Sequence, residues 1–372
     1  MNYSVKILAK NNEARIIDGR LWADFCDALK SAGDQVLRDT TPADPFNRAE
    51  GYRYLTRLLR LSLEKNIEFG DPRFPAFYSL SHATAKIGND NPDNVYQNCA
   101  VSGRYNYRIR GQRGSVPYLS IETKAGSYGS TGTMAPTGHI ELEDLDILDD
   151  GSFEIIVSVT PQSGNWLAMT PESDNMLVRQ TFENRSVETA ATLTIECLNA
   201  DGEAQLDPAE FAAQLDGVTG FITGTAGLFI DWMAIFSEHV NQLPANDQQM
   251  CLSAGGDPSI HYHNSYWKLG PDEALIIEVD ELPVCRSWNF QLSNYWLESL
   301  DYRHHQIHVN KHTATYGANG SLQIVVAHQN PGANYPNWLS TAGHDQGSML
   351  FRYIEAQSFP QINTRVIQFG AL

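Results

Sequence analysis

The chain carries one long pattern twice, and such a duplication limits the possible folds more than any single residue does. Gly151 to Arg179 reads GSFEIIVSVTPQSGNWLAMTPESDNMLVR, and Gly320 to Arg352 reads GSLQIVVAHQNPGANYPNWLSTAGHDQGSMLFR. Each copy opens on a Gly-Ser turn and runs into a β-branched strand, Ile155-Ile156-Val157 or Ile324-Val325-Val326. A Pro-containing loop follows, then Asn-Trp-Leu (Asn165 to Leu167; Asn337 to Leu339), a polar turn and Met-Leu-x-Arg. A shorter echo upstream sets Tyr105–Ile109 against Trp288–Leu292. Two copies suit duplicated sheet units better than a solenoid, which needs roughly three repeats.

The expected architecture is mainly β with α: two similar antiparallel β-sandwich or jelly-roll units plus helical N-terminal and central segments. Short runs of Val, Ile, Tyr and Thr between Gly, Pro and Asn-Asp turns carry the β texture. Boundaries fall at a helical segment 1–87, a first β unit 88–200, a helical connector 201–250 and a second β unit 251–372. Asp44-Pro45 and Asp207-Pro208 each pair an N-cap with a first-turn proline and so predict helix starts. Gly217 reads as a helix stop. Phe221 to Phe236 is apolar but interrupted by Gly224, Gly227 and Asp231, which favours a buried helix over a membrane span.

A net charge of −18 opposes phosphate backbones, so no nucleic-acid partner is expected. Five scattered cysteines with no Cys-x-x-Cys, and an N-terminus without an apolar leader, predict a reducing, cytoplasmic setting. No membrane partner is expected; homo-oligomerisation is left open. No nucleotide-binding glycine loop or G-x-S-x-G elbow occurs, so no cofactor is expected.

The densest titratable run is Tyr302 to His312. Read as a strand, it puts His304, Gln306 and His308 on one face and His305 beside Ile307 and Val309 on the other. His305 is then either a core histidine or a general acid or base, with His304, Arg303 and Arg110 as further catalytic candidates. Asp93, Tyr96, Trp166, Trp338 and His308 are candidate ligand contacts; the two tryptophans are alternatively packing anchors. His261 and His263, the one His-x-His, are the candidate metal ligands. The acidic run Glu141 to Asp146 with Asp149-Asp150 lacks calcium-loop spacing and reads as a solvated strand and turn.

The segment from Trp288–Leu292 through Asn319-Gly320-Ser321 and Asn337–Leu339 to Leu350–Tyr353 resembles the bacterial family named domain of unknown function 1214. It departs in Ser340, where a proline is usual after Asn-Trp-Leu. The resemblance implies a β-sandwich with helices and no particular reaction. Two functions are therefore carried forward. One is a cofactor-independent enzyme, a lyase, isomerase or hydrolase, working on a small molecule between the β units. The other is a non-catalytic binder of carbohydrates or other small molecules.

Overall fold

The computed structural model describes residues 11–245 and 247–372. The first ten residues, on which the reading of the N-terminus partly rests, lie outside them. Sixteen strands among the described residues form four four-stranded sheets. In the first unit, β1 (Asn94–Ala100), β7 (Asn175–Thr181), β3 (Tyr118–Ala125) and β4 (Ala135–Glu141) form an inner sheet in that order. Behind it lie β6 (Trp166–Ala168), β5 (Ser152–Ser158), β2 (Tyr107–Gln112) and β8 (Thr192–Cys197).

The second unit has the inner order β9 (Ile260–Lys268), β15 (Gln346–Ile354), β11 (Ser287–Leu292), β12 (His308–Asn310). Its outer order is β14 (Trp338–Ser340), β13 (Leu322–Ala327), β10 (Glu273–Val279), β16 (Asn363–Gln368). Each strand of the first unit thus recurs eight strands later in the same place. The tryptophans hold equivalent positions: Trp166 pairs in parallel with Ile156, and Trp338 with Val325.

The shorter echo does not survive. Tyr107–Ile109 lies on the outer strand β2, whereas Trp288–Leu292 forms the inner strand β11, whose counterpart is β3. Aromatic-polar alternation is common to both sheets, so it matched two strands of different rank.

Period-two alternation places Ile121, Met176 and Val178 of the first inner sheet against Ile155 and Val157 of its outer partner. Phe290, Met349 and Phe351 meet Ile277, Ile324 and Val326 in the second unit. The asparagine of Asn-Trp-Leu fastens each sandwich. Asn337 Nδ2 donates to the carbonyls of Thr315 and Gln323 (2.7 and 2.9 Å) while its Oδ1 accepts Thr315 N–H at 2.8 Å. Asn165 repeats this with Asp146 and Glu154.

Helices α1 (Arg20–Ala32), α2 (Pro45–Leu63) and α3 (Pro208–Phe236) pack together, and a short α4 (Gln248–Ser253) leads into β9. Asp44 and Asp207 cap α2 and α3 as expected, accepting Asn47 N–H and Glu210 N–H. Gly217 does not stop α3: burial of Leu215, Val218 and Phe221 around it outweighs the roughly 1 kcal/mol a helical glycine costs. By length and composition α3 could cross a membrane; here it packs on the other helices through residues such as Phe229, Ile230 and Met233.

Candidate functional site

The inner sheets turn their polar faces toward each other. Arg179 on β7 pairs in register with Tyr96 and Ser120, and Arg352 on β15 with Tyr262 and Asn289. Contacts across the junction are reciprocal. Arg179 Nη2 donates to the carbonyl of Gly255 in the loop before β9, and Arg352 Nη2 donates to that of Asn89 in the loop before β1. Both loop residues have left-handed backbones, φ 87° and 57°. The Ser120 hydroxyl donates to Asp257 (2.6 Å), and the Asn289 amide donates to Asn91 (2.7 Å). Asp257 N–H and Asn91 N–H in turn donate to the hydroxyls of Tyr262 and Tyr96. Each contact recurs with the units exchanged, the mark of an isologous interface about a pseudo-two-fold axis.

At this junction lies a cavity of about 140 Å³. Its apolar wall includes Tyr128, Phe221, Phe229 and Trp232, with Leu177 and Leu350 from the two central strands. Its polar wall includes Tyr96, Asn98, Arg179, Tyr262, Asn264 and Arg352. The volume compares with the roughly 150 Å³ apolar cavity that admits benzene.

The two arginines differ in charge balance. Arg179 is paired with Glu122 and lies 3.5 Å from Asp257. Arg352 instead donates to the neutral Gln291 amide at 2.6 Å and has no carboxylate within ion-pair distance among the described residues. Burial lowers its guanidinium below the usual value. Asp90 and Asp93 act on it only at a distance, and a buried charge without a direct ion-pair partner is costly, so an anion entering the cavity would meet a ready partner.

Of the sequence candidates, Tyr96 lines this cavity. Asp93 and His308 sit just outside its lining, the imidazole Nε2 3.2 Å from the carboxylate. The remaining candidates lie elsewhere. Residues 302–307 are not a strand, because Arg303 N–H and the backbone N–H groups of His304 and His305 fold back onto Asp301. The expected alternation therefore fails there, and His304 and His305 are both exposed.

His305 borders a separate polar recess containing Glu50, Lys86, Glu298 and His344. Arg303 pairs with Asp301 (2.7 Å), and Arg110 with Glu154 and Glu196 on an outer sheet. Trp166 and Trp338 are half-buried on outer edge strands, their indole N–H groups donating to the carbonyls of Ser158 and Ala327. His261 and His263 do share a face of β9, ring centroids 5.1 Å apart, but His261 stacks on Phe359 and no third ligand group joins them among the described residues.

Residues 271–358 match the family model described as a protein of unknown function, DUF1214. The crystal structure of an uncharacterized protein from Burkholderia cenocepacia is 49% identical, covering 96% of this chain and 99% of that one with a TM-score of 0.94. The chain belongs to the DUF1214 family. The family match spans β10 to β15, all within the second unit of this DUF1214 protein. The VPA0106 protein from Vibrio parahaemolyticus, also a crystal structure, is 10% identical over 84% of this chain and 98% of its own, with a TM-score of 0.49. Among curated proteins none matches.

Arg179, Arg352, Asn89 and Asp257 escaped the sequence reading as site residues. One signal was available. Asn91-Pro92-x-x-x-Tyr96-x-Asn98 and Asp257-Pro258-x-x-x-Tyr262-x-Asn264 share the spacing Pro-x-x-x-Tyr-x-Asn. These stretches form the two junction loops and the strands after them.

Proposed function

We propose that the protein binds a small organic anion in the junction cavity, its charged oxygen on Arg352 and its apolar body against Phe229 and Trp232. The observation that carries this reading is the buried Arg352 guanidinium on a largely apolar cavity with no carboxylate in ion-pair contact among the described residues; Asp90, which also lines the cavity, is held by the Ser299 N–H and hydroxyl (both 2.9 Å). A charge-assisted hydrogen bond in a site of low dielectric supplies both affinity and orientation. Benzoate is a suitable probe, since its ring fits the volume and its carboxylate suits a guanidinium. Calorimetric titration should show benzoate binding at one site per chain, lost in Arg352→Met while benzene still enters. Equal benzoate affinity in the two proteins would remove the proposal.

Acid–base turnover of that ligand, by a lyase, isomerase or hydrolase step, is the second reading. It is favoured by the hydroxyls of Tyr96 and Tyr262. Each accepts a backbone N–H, leaving its own proton to offer an oxyanion formed beside Arg352. Tyr96→Phe should then lower kcat against a converted substrate while leaving KM nearly unchanged; equal losses of binding and turnover would return Tyr96 to a binding role. A small-molecule ligand, without nucleic acid, also agrees with the net charge of −18, and five free thiols agree with a cytoplasmic setting.

A further inference from the structure

The geometry points to a second site, for one divalent transition-metal ion such as zinc, held by His139 Nε2 and the carboxylates of Glu141 and Asp257. His139 and Glu141 alternate on the edge strand β4 and so project to the same side, toward the second unit. Asp257 reaches them from the loop before β9, so an ion here would tie the two units together. The imidazole nitrogen lies 3.6 Å from Glu141 Oε1 and 3.5 Å from Asp257 Oδ1. Both separations are too long for good hydrogen bonds. They are close to the edge of a tetrahedron built on zinc bonds of ~2.1 Å, which is about 3.4 Å. His139 Nε2 is itself shielded from solvent and has no hydrogen-bond partner.

The surrounding charge agrees. Among the described residues, Glu122, Glu141, Glu143, Asp257 and Glu355 meet three fixed cations here, Lys124, Arg179 and Arg286. With a neutral imidazole the shortfall is two positive charges, the charge of one such ion. The Tyr118 hydroxyl, 3.1 Å from both Glu141 Oε1 and Asp257 Oδ1, would orient the ligands from outside, as outer partners of metal ligands do. One imidazole with two carboxylates suits zinc or cobalt better than calcium, which prefers all-oxygen cages.

The pseudo-symmetry supplies an internal control. His139 and Glu141 pair with Glu122 and Ser120; in the second unit the same places hold His308 and Asn310, opposite Gln291 and Asn289. Asn91 is the counterpart of Asp257, each accepting the N–H two residues on. The twin thus keeps the imidazole but has amides for both carboxylates, so one ion per chain is expected and not two. This site stands whether or not the central cavity takes an anion.

The test is titration of the chelator-treated full chain with Co2+, read by its visible absorption, together with thermal melting in Zn2+. The expected result is one equivalent of Co2+ with the intense bands of a tetrahedral site, and a higher Tm with Zn2+. Asp257→Asn and Glu141→Gln, which convert the trio toward the twin's amides, should each abolish the bands at concentrations that saturate the parent. His139→Phe should do likewise, and as a half-exposed position it guards against loss of fold in the other two. Absence of Co2+ binding in the parent, or bands that persist in His139→Phe, overturns the site.

Discussion

Arg179 and Arg352 occupy the same position in the two halves of the molecule, yet only Arg179 has a carboxylate for a partner. Their side chains reach across the junction to the opposite unit's loop, at Gly255 and Asn89. Where Arg179 finds Glu122, Arg352 finds Gln291, the residue at the equivalent register position. Both arginines thus hold the units together, but only one does so within an ion pair; the other keeps a guanidinium with no carboxylate in direct contact against the cavity.

That difference predicts unequal costs for one substitution. Arg179→Met leaves Glu122 and Asp257 buried without their guanidinium, a loss of about 3–5 kcal/mol. Arg352→Met breaks no ion pair and forfeits hydrogen bonds to Gln291 and Asn89, so it should change stability by less than about 2 kcal/mol. Urea denaturation of the two variants measures both. Equal destabilisation would show that the charge asymmetry has no energetic consequence.

The asparagines of the repeated tripeptide invite a graded comparison. Asn337 is 4% exposed, and its removal leaves the Thr315 N–H and two carbonyls without partners. Asn337→Ala should cost at least about 2 kcal/mol. Asn165 makes the same three bonds at a half-buried position where water can replace them, so Asn165→Ala should cost about 1 kcal/mol. Melting temperatures of the pair would expose an error if Asn165→Ala proved the worse.

The repeat was readable where packing and stapling fix side-chain identity, in β5 to β7 and β13 to β15. Helix starts at Asp44 and Asp207 were readable because capping is local chemistry. The junction was not, for a physical reason: alternation tells which face of a strand is apolar, but a polar face looks the same whether it meets water or a second polar sheet. Nothing in their own stretches of sequence therefore marks Ser120, Glu122, Gln291 and Arg352 as facing a second sheet, although all four are buried. His304 and His305 misled in the opposite direction, because the alternation assumed a strand that the turn at Asp301 prevents.

Acid should destabilise the fold partly through His261. Burial against the neighbouring strand and Phe359, with His263 beside it, lowers its imidazole to about 4, against 6.5 for the free side chain. Between those pH values the unfolded chain holds the extra proton, so stability is present above pH 6.5 and is lost as pH falls toward 4. Allowing for solvent screening of a partly exposed ring, the contribution is about 1 kcal/mol. His261→Gln should flatten the stability–pH curve in that window by this amount. An unchanged slope between the two proteins would assign acid sensitivity to the carboxylates instead.

Two glycines of α3 should respond in opposite senses to the same added methyl group. At Gly224 a Cβ would stand 2.1 Å from the carbonyl oxygen of Tyr128, backbone that cannot move independently of the cavity wall. The Tyr128 hydroxyl also donates to the carbonyl of Ala254, next to Gly255, so a shift there reaches the loop that Arg179 holds. Gly224→Ala should therefore cost about 1–3 kcal/mol and weaken benzoate binding as well. At Gly217 the nearest atom is the Asn66 side-chain oxygen at 3.3 Å, which can yield. Gly217→Ala should gain up to about 1 kcal/mol from helix propensity and leave binding unchanged. Thermal melts paired with benzoate titrations separate the two effects, and a Gly224→Ala protein as stable as its parent would mean that α3 does not fix the wall of the cavity.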